Sequence, residues 1–251
     1  MTTSSPITAA MLAIGDELLS GRTKDRNIGH LADVLFLAGI DLKEVRIVGD
    51  EEDMIVEALN ALRGRYTYVF TSGGIGPTHD DITADAVAKA FGVPCLHDPL
   101  AMRLLGEMYE RRAMEFNEAR KRMARMPEGA VHIPNSVSTA PGFVIGNVHV
   151  MAGVPQVFTA MLEALMPTLA TGVPMLSRSV NSPFGEGDIG SALAAIQKAH
   201  PQTSIGSYPR FDGNRFSTEI VIRSRDEAPA AAAERDVLAM ISEIAAAKAS
   251  S

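Results

Sequence analysis

A glycine-rich stretch at residues 72–83, with the sequence SGGIGPTHDDIT, carries the clearest chemical signal in the chain. Glycines allow a backbone to approach an anion closely, and the N–H groups that open the following helix attract negative charge. The stretch therefore predicts a phosphate-binding loop. It has neither the Gly-Lys-Ser/Thr ending of a Walker loop nor the spacing of the dinucleotide G-x-G-x-x-G pattern. The expected binding residues are Ser72, Gly73, Gly74, Gly76, Pro77, Thr78 and Thr83.

Two adjacent aspartates, Asp80 and Asp81, follow these glycines and would repel a phosphate held there. A divalent cation between carboxylate and phosphate resolves this conflict, so we expect Asp80 and Asp81 to be metal ligands for Mg, Mn or Co. The alternative is that one of the two aspartates only caps the first turn of the next helix. We expect the neighbouring His79 to be an exposed bystander.

Further carboxylates follow two other predicted strands, at the strand ends where a parallel sheet holds its ligands. Asp16 and Glu17 come directly after the first strand and behind Gly15, and Asp50 comes after the second strand. We expect Gly15 and Asn27 to contact the ligand, with Asn27 donating a hydrogen bond to a sugar or base. The alternative is a turn and helix cap, in which Asp16 accepts from backbone N–H groups.

A third group of small residues lies later in the chain, in the sequences APGF (residues 140–143) and AGVP (residues 152–155). Small side chains and a fixed φ suit a backbone that packs close to a ligand or to the glycine loop. We therefore expect Gly142, Gly153 and Pro155 to border the binding site. Two ordinary turns are the alternative interpretation.

The segment from residue 100 to residue 125 is predicted to be helical and carries seven basic side chains against four glutamates. A run of this kind is typical of a solvated helix face with pairs at a spacing of four residues, such as Glu107 with Arg111. Contact with a ligand phosphate or a partner subunit is the alternative.

The overall composition excludes several classes of partner. Lys and Arg number 23 and Asp and Glu number 30, and the resulting charge of −7 disfavours nonspecific binding to nucleic acid or to an anionic membrane. No apolar run reaches the length of a membrane span. The single Cys95 and the absence of a signal-like N-terminus predict a cytoplasmic protein. The remaining partner class is a small phosphorylated molecule.

The elements that position these residues alternate between strand and helix, which predicts a doubly wound, mostly parallel α/β sheet. A β-hairpin follows, with its turn at Gly146 and Asn147. The break at residues 171–174 divides the chain into a domain at 1–172 and a small β-α-β-β-α module at 173–251. The predicted strands of the first domain are 8–14, 41–48, 66–70, 143–145 and 148–151, and its helices are 27–37, 53–62, 82–91, 100–125 and 154–169.

Three of these segments together resemble the molybdopterin-binding (MoaB/Mog-like) domain: residues 14–19, 73–83 and 153–155. Residues 135–143 and the pair Gly185-Glu186 are similar to the N-terminal branch of the competence/damage-inducible protein A (CinA) family, in a short form without the C-terminal deamidase domain. The resemblance implies a three-layer α/β/α domain with a small α+β, KH-like module. One departure is Met151-Ala152-Gly153, where the family usually has Leu-Pro-Gly.

The same resemblance implies roles for four carboxylates. Asp81 and Asp50 match the aspartates that molybdopterin enzymes use in adenylyl transfer, and Asp16 with Glu17 matches an acidic pair of the CinA branch. We therefore expect these four residues to be catalytic.

The function that the resemblance implies is metal-dependent hydrolysis of a nucleotide pyrophosphate such as ADP-ribose or FAD, in a homo-oligomer. Two alternatives stay open. One is a protein that binds molybdopterin or a nucleotide without turnover, and the other is adenylyl transfer to molybdopterin in molybdenum cofactor biosynthesis. The module at 173–251 formally contains a KH-like G-x-x-G at residues 187–190, but its acidic side chains would repel a nucleic-acid backbone, so we interpret it as a helix start.

Overall fold

The computed structural model describes residues 6–249, and the chain divides into two compact units between Gly172 and Val173. Residues 1–5 and 250–251 of the predicted domains lie outside the described part. The strands of the first unit are β1 (Thr8–Ile14), β2 (Asp41–Val48), β3 (Tyr68–Ser72), β4 (Cys95–His97), β5 (Arg125–Pro127), β6 (Val131–Ile133), β7 (Gly142–Ile145) and β8 (Val148–Met151). Its helices are α1 (Asp16–Leu19), α2 (Asn27–Leu37), α3 (Glu52–Arg63), α4 (Thr83–Phe91), α5 (Pro99–Arg111), α6 (Glu118–Lys121) and α7 (Pro155–Leu165).

The first unit is built on a six-stranded sheet in the order β2-β1-β3-β8-β7-β6. The four strands β2, β1, β3 and β8 are parallel, and β7 and β6 continue the sheet in antiparallel pairing. Alternate residues of β1 enter two separate cores: Leu12 packs with α3 and α4, and Met11 packs with α2 and α7. The prediction of a mostly parallel, doubly wound α/β sheet with helices on both faces is confirmed.

The parallel arrangement brings four chain segments to one edge of the sheet. The pairs Ile14 with Val48, Ala13 with Ser72, and Ser72 with Met151 align the carboxyl ends of β1, β2, β3 and β8. The loops that leave these ends are the ones in which the sequence places its acidic and glycine-rich residues. A ligand site at this edge therefore draws on all four strands.

The segment after α4 differs from the single helix predicted at 100–125. The helix α5 ends at Arg111, because Ala113 takes a left-handed conformation with φ 51° and stops the helical hydrogen bonding. A new start follows at Asn117, whose side chain accepts from the Arg120 amide at 3.1 Å and caps α6. The three-residue strands β4 and β5 flank this segment and pair with each other.

The histidine on β8 makes the first unit sensitive to acid. His149 is 4% exposed and stacks on Phe70 with 5.1 Å between ring centroids. Burial lowers the pKa of His149 to about 4, whereas an unfolded histidine titrates near 6.5. The neutral ring therefore contributes stability above about pH 6.5 that is lost as the pH falls toward 4.

We expect this single group to cost up to about 3 kcal/mol of unfolding free energy between pH 6.5 and pH 4. Denaturant unfolding at pH 7 and pH 4.5, followed by tyrosine fluorescence, measures the loss. His149→Phe keeps an aromatic ring on Phe70 and should lose distinctly less stability over the same interval. Parallel losses in both proteins would contradict the assignment to His149.

The second unit is an α+β module. Its strands β9 (Leu176–Ser182), β10 (Ser204–Phe211) and β11 (Phe216–Ser224) form an antiparallel sheet in the order β10-β11-β9. The helices α8 (Glu186–Ala199) and α9 (Glu227–Ala249) pack against it over Ile189, Ile220 and Val237. The acidic G-x-x-G sequence lies in the first turn of α8, as predicted for a helix start. Between residues 6 and 249, no helix has both the length and the apolar composition needed to cross a bilayer.

Candidate functional site

A cleft of about 590 Å³ lies at the carboxyl edge of the sheet in the first unit. This volume falls in the range of ordinary small-molecule sites. Eight of its lining residues are ones that the sequence analysis singles out: Glu17, Gly73, Gly74, Gly76, Pro77, Asp81, Gly153 and Pro155.

The glycine loop can take its path only because Gly73 and Gly74 lack side chains. Both have positive φ, of 109° and 67°. A Cβ on Gly73 would lie 2.2 Å from the Ile14 carbonyl oxygen, and one on Gly74 would lie 2.1 Å from Thr83 Oγ1. The loop is therefore packed against β1 on one side and against the start of α4 on the other.

Thr83 fixes the loop to the helix that follows it. This fully buried side chain donates its hydroxyl to the Gly73 carbonyl at 3.0 Å, and its amide donates to the Gly74 carbonyl at 2.9 Å. The Gly73 amide itself donates to the Met151 carbonyl of β8. Thr83 was expected to bind phosphate, but with both polar groups engaged it supports the loop instead.

Asp81 holds the far end of the loop closed. Its Oδ1 accepts from the Gly76 amide at 2.7 Å, and its Oδ2 accepts from the amide and hydroxyl of Thr78 at 2.7 and 2.5 Å. The alternative interpretation, in which an aspartate caps the next helix, does not hold for α4, because its N-cap residue is Ile82 and no side chain caps it. With three hydrogen bonds inside the loop, Asp81 braces it, and its role as a metal ligand stays a prediction.

The hydrogen bonds inside the loop leave only some of its backbone N–H groups available to an anion. The Gly73 and Gly76 amides are used inside the protein, and so is that of Thr78. The amides of Gly74 and Ile75 make no hydrogen bond to any residue in the range 6–249, and both residues line the cleft. The N–H groups of Gly74 and Ile75 are therefore the amides of the cleft-lining loop that stay available to an anion.

An acidic cluster accompanies the loop, formed by Asp16, Glu17, Asp50 and Asp80. The Asp16 amide donates to Asp50 Oδ2 at 3.0 Å, and the Asp50 amide donates to Asp16 Oδ1 at 3.3 Å. Burial raises the pKa of the Asp50 carboxyl, and the charges of Asp16, Glu17 and Asp80 raise it further. The strand ends therefore gather negative charge without a basic residue against Asp50.

This donor set fits a divalent cation only in a particular way. Within residues 6–249, no three His, Cys, Asp or Glu side chains lie close enough together to hold a metal ion alone. Magnesium is commonly held by one or two carboxylates, with phosphate oxygens and water as its other ligands. One or two carboxylates of the acidic cluster would fit such an arrangement, with phosphate oxygens and water as the remaining ligands.

The raised pKa of Asp50 predicts a gain in stability from a loss of charge. A raised pKa means that the folded protein favours the protonated form of Asp50. Protonated Asp50 therefore stabilises the fold at low pH, and this contribution is lost as the pH rises through the raised pKa. Asp50→Asn should raise the melting temperature at pH 7.5 by up to about 3 °C, and by less at pH 4.5. Scanning calorimetry of both proteins checks this. An equal or larger gain at pH 4.5 would refute the electrostatic cause.

Three other predicted ligand-contact residues, Asn27, Ser72 and Gly142, have their contacts inside the protein. Asn27 is 3% exposed and donates its amide group to Ser72 Oγ at 2.7 Å and to the Gly153 carbonyl at 2.8 Å. It therefore ties the end of β3 to the end of β8, and Ser72 is buried in the same link. Gly142 lies outside the cleft, where a Cβ would meet the Val150 carbonyl oxygen at 2.4 Å. All three residues support the site by packing.

The remaining predicted residues lie near the loop with smaller roles. Gly15 donates its amide to the Val48 carbonyl at 3.0 Å and turns the chain into α1. Pro155 opens α7 and lines the cleft. His79 has a side chain that is 98% exposed, in agreement with the expectation of a bystander.

One part of the cleft was missed by the sequence analysis. Tyr109, Arg112 and Met123 line it, although the segment that contains them was interpreted as a solvated helix face. Arg122 donates to the Asp81 carbonyl at 3.1 Å, and Arg125 pairs with Asp85 at 2.5 and 2.8 Å. The available signal was the excess of basic residues in an acidic chain. The expected pair of Glu107 with Arg111 is absent from the ion pairs of the described residues.

Comparison with known sequences agrees with this architecture. The family described as "Probable molybdopterin binding domain" matches residues 10–171, and "FAD synthase, middle domain" matches residues 174–249. A protein of Pyrobaculum arsenaticum is 36% identical over 80% of each chain. A CinA-like protein of Desulfosudis oleivorans is 35% identical over 81% of this chain, which spans about half of that relative (52%).

Among solved structures, the crystal structure of the protein CinA from Thermoplasma acidophilum is similar to this chain at 30% sequence identity and a TM-score of 0.60. The match covers 65% of this chain and 99% of that one. The family match spans more than half of the chain and coincides with the unit that holds the cleft. The chain therefore belongs to the probable molybdopterin-binding domain family and resembles its CinA-like members.

Proposed function

We propose that this protein hydrolyses the phosphoric anhydride bond of a nucleotide pyrophosphate of the ADP-ribose or FAD type, with a divalent cation. The observation that carries the proposal is the meeting of two unpaired amides and one carboxylate of the acidic cluster at one cleft. The amides of Gly74 and Ile75 and the carboxylate of Glu17 all belong to its wall. Donors of hydrogen bonds and ligands of a cation are what a diphosphate requires.

The loop amides, the carboxylates and the loop-supporting side chains would have different roles in this hydrolysis. The Gly74 and Ile75 amides donate to oxygens of one phosphate and stabilise the negative charge that grows on it during hydrolysis. Asp50, with one of Asp16, Glu17 and Asp80, would hold Mg, Mn or Co, and phosphate oxygens and water would supply the other ligands. Such an ion lowers the pKa of a bound water and neutralises phosphate charge. Asp81 and Thr83 keep the loop in the shape that aims its amides.

The family matches support the class of ligand. The name of one family refers to molybdopterin and the name of the other to FAD synthase. Molybdopterin and FAD both contain a heterocycle joined to phosphate. A nucleotide pyrophosphate shares these parts. A cleft of about 590 Å³ has room for one nucleotide portion of such a molecule.

The test is a panel of ADP-ribose, FAD and NAD, each with Mg, Mn, Co or EDTA, with AMP measured by chromatography. We expect metal-dependent AMP release from at least one substrate, reduced about 100-fold or more in Asp50→Asn. Glu51→Gln is a matched control, because this exposed neighbour undergoes the same change of charge next to the cluster. AMP release that is equal in Asp50→Asn and Glu51→Gln would refute the role of the cluster.

The second candidate is a protein that binds a pterin or nucleotide phosphate without turnover. It is favoured by the lack, within residues 6–249, of a group of side chains that holds a metal by itself. With four tyrosines and no tryptophan, the chain absorbs weakly above 290 nm, so a co-purified pterin or flavin would be visible there. Such absorbance, together with no AMP from any substrate and metal, would select binding over hydrolysis.

A further inference from the structure

The wall of the cleft formed by the end of α5 carries polar groups to which the proposed hydrolysis assigns no role. Tyr109 lies in the last turn of α5, and Arg112 directly follows this helix. At a spacing of three residues they lie on the same side of it, and both line the cleft. Two hydrogen-bond donors on one wall are suited to a single anionic group.

Tyr109 is held in one orientation by its neighbours. Its ring stacks on Phe116, with 5.5 Å between centroids and 17° between planes. The Arg120 guanidinium carbon lies 4.6 Å from the Tyr109 ring centroid. The hydroxyl makes no hydrogen bond to any residue between 6 and 249, so the stacked ring holds an unused donor in place at the cleft.

Arg112 differs from three other arginines of this segment, which have partners. Arg125 pairs with Asp85, Arg122 donates to the Asp81 carbonyl, and Arg120 donates to the Glu115 carbonyl. Arg112 has no acidic partner in the described part of the chain. Arg103 and Arg111 show no ion pair within residues 6–249 either, but of these three unpaired arginines only Arg112 lines the cleft. It is therefore an uncompensated positive charge at the rim of a cleft whose other charged side chains, Glu17 and Asp81, are acidic.

The backbone next to this wall is strained. In residues 6–249, only two residues other than glycine have positive φ: Ala113 at 51° and Thr139 at 66°. Ala113 follows Arg112, and Thr139 lies between Ser138 and Ala140, both of which line the cleft. Unfavourable backbone conformations of this kind concentrate at ligand sites, where surrounding contacts hold them.

We propose that Tyr109 and Arg112 are specificity-determining residues that bind the second phosphate of a diphosphate ligand, while the Gly74 and Ile75 amides bind the first. The inference rests on the proposed function and adds to it a reason for preferring diphosphates. A monophosphate occupies the loop alone and gains nothing from Arg112. A diphosphate also engages the guanidinium and the hydroxyl, which form charge-assisted hydrogen bonds with phosphate oxygens.

The experiment measures binding by calorimetry, in magnesium buffer, of α,β-methylene-ADP, which resists hydrolysis at the bridged bond, and of AMP. Arg112→Gln should weaken the diphosphate about 10-fold or more and AMP less than about 2-fold. Tyr109→Phe keeps the stacked ring and should weaken the diphosphate about 3-fold. Arg111→Gln is the matched control, since this exposed neighbour lies outside the cleft lining and should leave both ligands unchanged.

Different failures have different meanings. Equal weakening of both ligands by Arg112→Gln, or equal effects of Arg112→Gln and Arg111→Gln, would overturn the inference and leave the proposed function standing. So would a normal affinity for the diphosphate in Arg112→Gln. Wild-type protein that binds neither ligand would overturn both proposals. Melting temperatures of all variants establish that losses of affinity are not losses of fold.

Discussion

Gly73→Ala should destabilise the first unit by about 2–5 kcal/mol and remove ligand binding at the loop. The new Cβ would lie 2.2 Å from the Ile14 carbonyl oxygen, which is backbone of β1 in the centre of the sheet. It would also impose a side chain on φ 109°. The new Cβ and the Ile14 oxygen both belong to the backbone framework, so the clash can be relieved only if a parallel strand moves. Melting temperature, expected to fall by roughly 5–15 °C, and binding of ADP are the measurements.

Gly92→Ala is a control that distinguishes the cost of a positive φ from the cost of a steric clash. Gly92 also has positive φ, at 68°, but a Cβ there meets nothing within 4 Å. The substitution should therefore cost only about 1 kcal/mol, the ordinary cost of a left-handed alanine. If Gly73→Ala is no more damaging than Gly92→Ala, then the contact with β1 does not determine the identity of residue 73.

Most of the fold could be predicted because each parallel strand is followed by a helix and has a recognisable pattern, which is a short apolar run in β1, β3 and β8 and an alternation of polar and apolar residues in β2. The β1 run at Thr8–Ile14 and the α2 helix at Asn27–Leu37 have the same bounds in the pattern and in the structure. The topology then follows from the preference of such units for one sheet with helices on both faces. The edge that bears the loops follows from the same rule.

The segment from α5 to β6 could not be predicted in the same way. Helical spacing of apolar residues continues beyond Arg111, but Ala113 turns the chain into a left-handed conformation that local propensity disfavours. The strands β4 and β5 have three residues each, too few for an alternating pattern. Tertiary packing decides this region, and with it the second wall of the cleft.

The residues of the site were easier to find than their roles. A buried asparagine and a ligand-binding asparagine look alike in a sequence, and the Asn27 contact to Gly153 spans 126 positions. Likewise, an aspartate behind a glycine loop suggests a metal ligand, whereas the hydrogen bonds of Asp81 point inward to Gly76 and Thr78. Such partners are fixed by the folded backbone and leave no local pattern.

Asp81→Asn should lower kcat/KM for the pyrophosphate substrate about 100-fold or more, with a loss of about 1–3 kcal/mol in stability. Asparagine has one acceptor oxygen, so its amide group would face either the Gly76 or the Thr78 N–H as donor against donor. One end of the loop is then released, and the amides of Gly74 and Ile75 lose their alignment. Thr78→Val removes only the hydroxyl contact at 2.5 Å and should have a smaller effect.

The two roles of Asp81 lead to opposite metal dependence. If Asp81 were a metal ligand, its loss would weaken metal affinity, and saturating Mn or Co would restore much of the activity of Asp81→Asn. As a brace of the loop, it acts on phosphate binding itself, so saturating metal should restore nothing, and AMP affinity in EDTA should fall as well. Recovery of activity at a high metal concentration, with unchanged AMP affinity in EDTA, would show that Asp81 is a metal ligand. Failure to recover, with weakened AMP affinity, would support Asp81 as the brace of the loop.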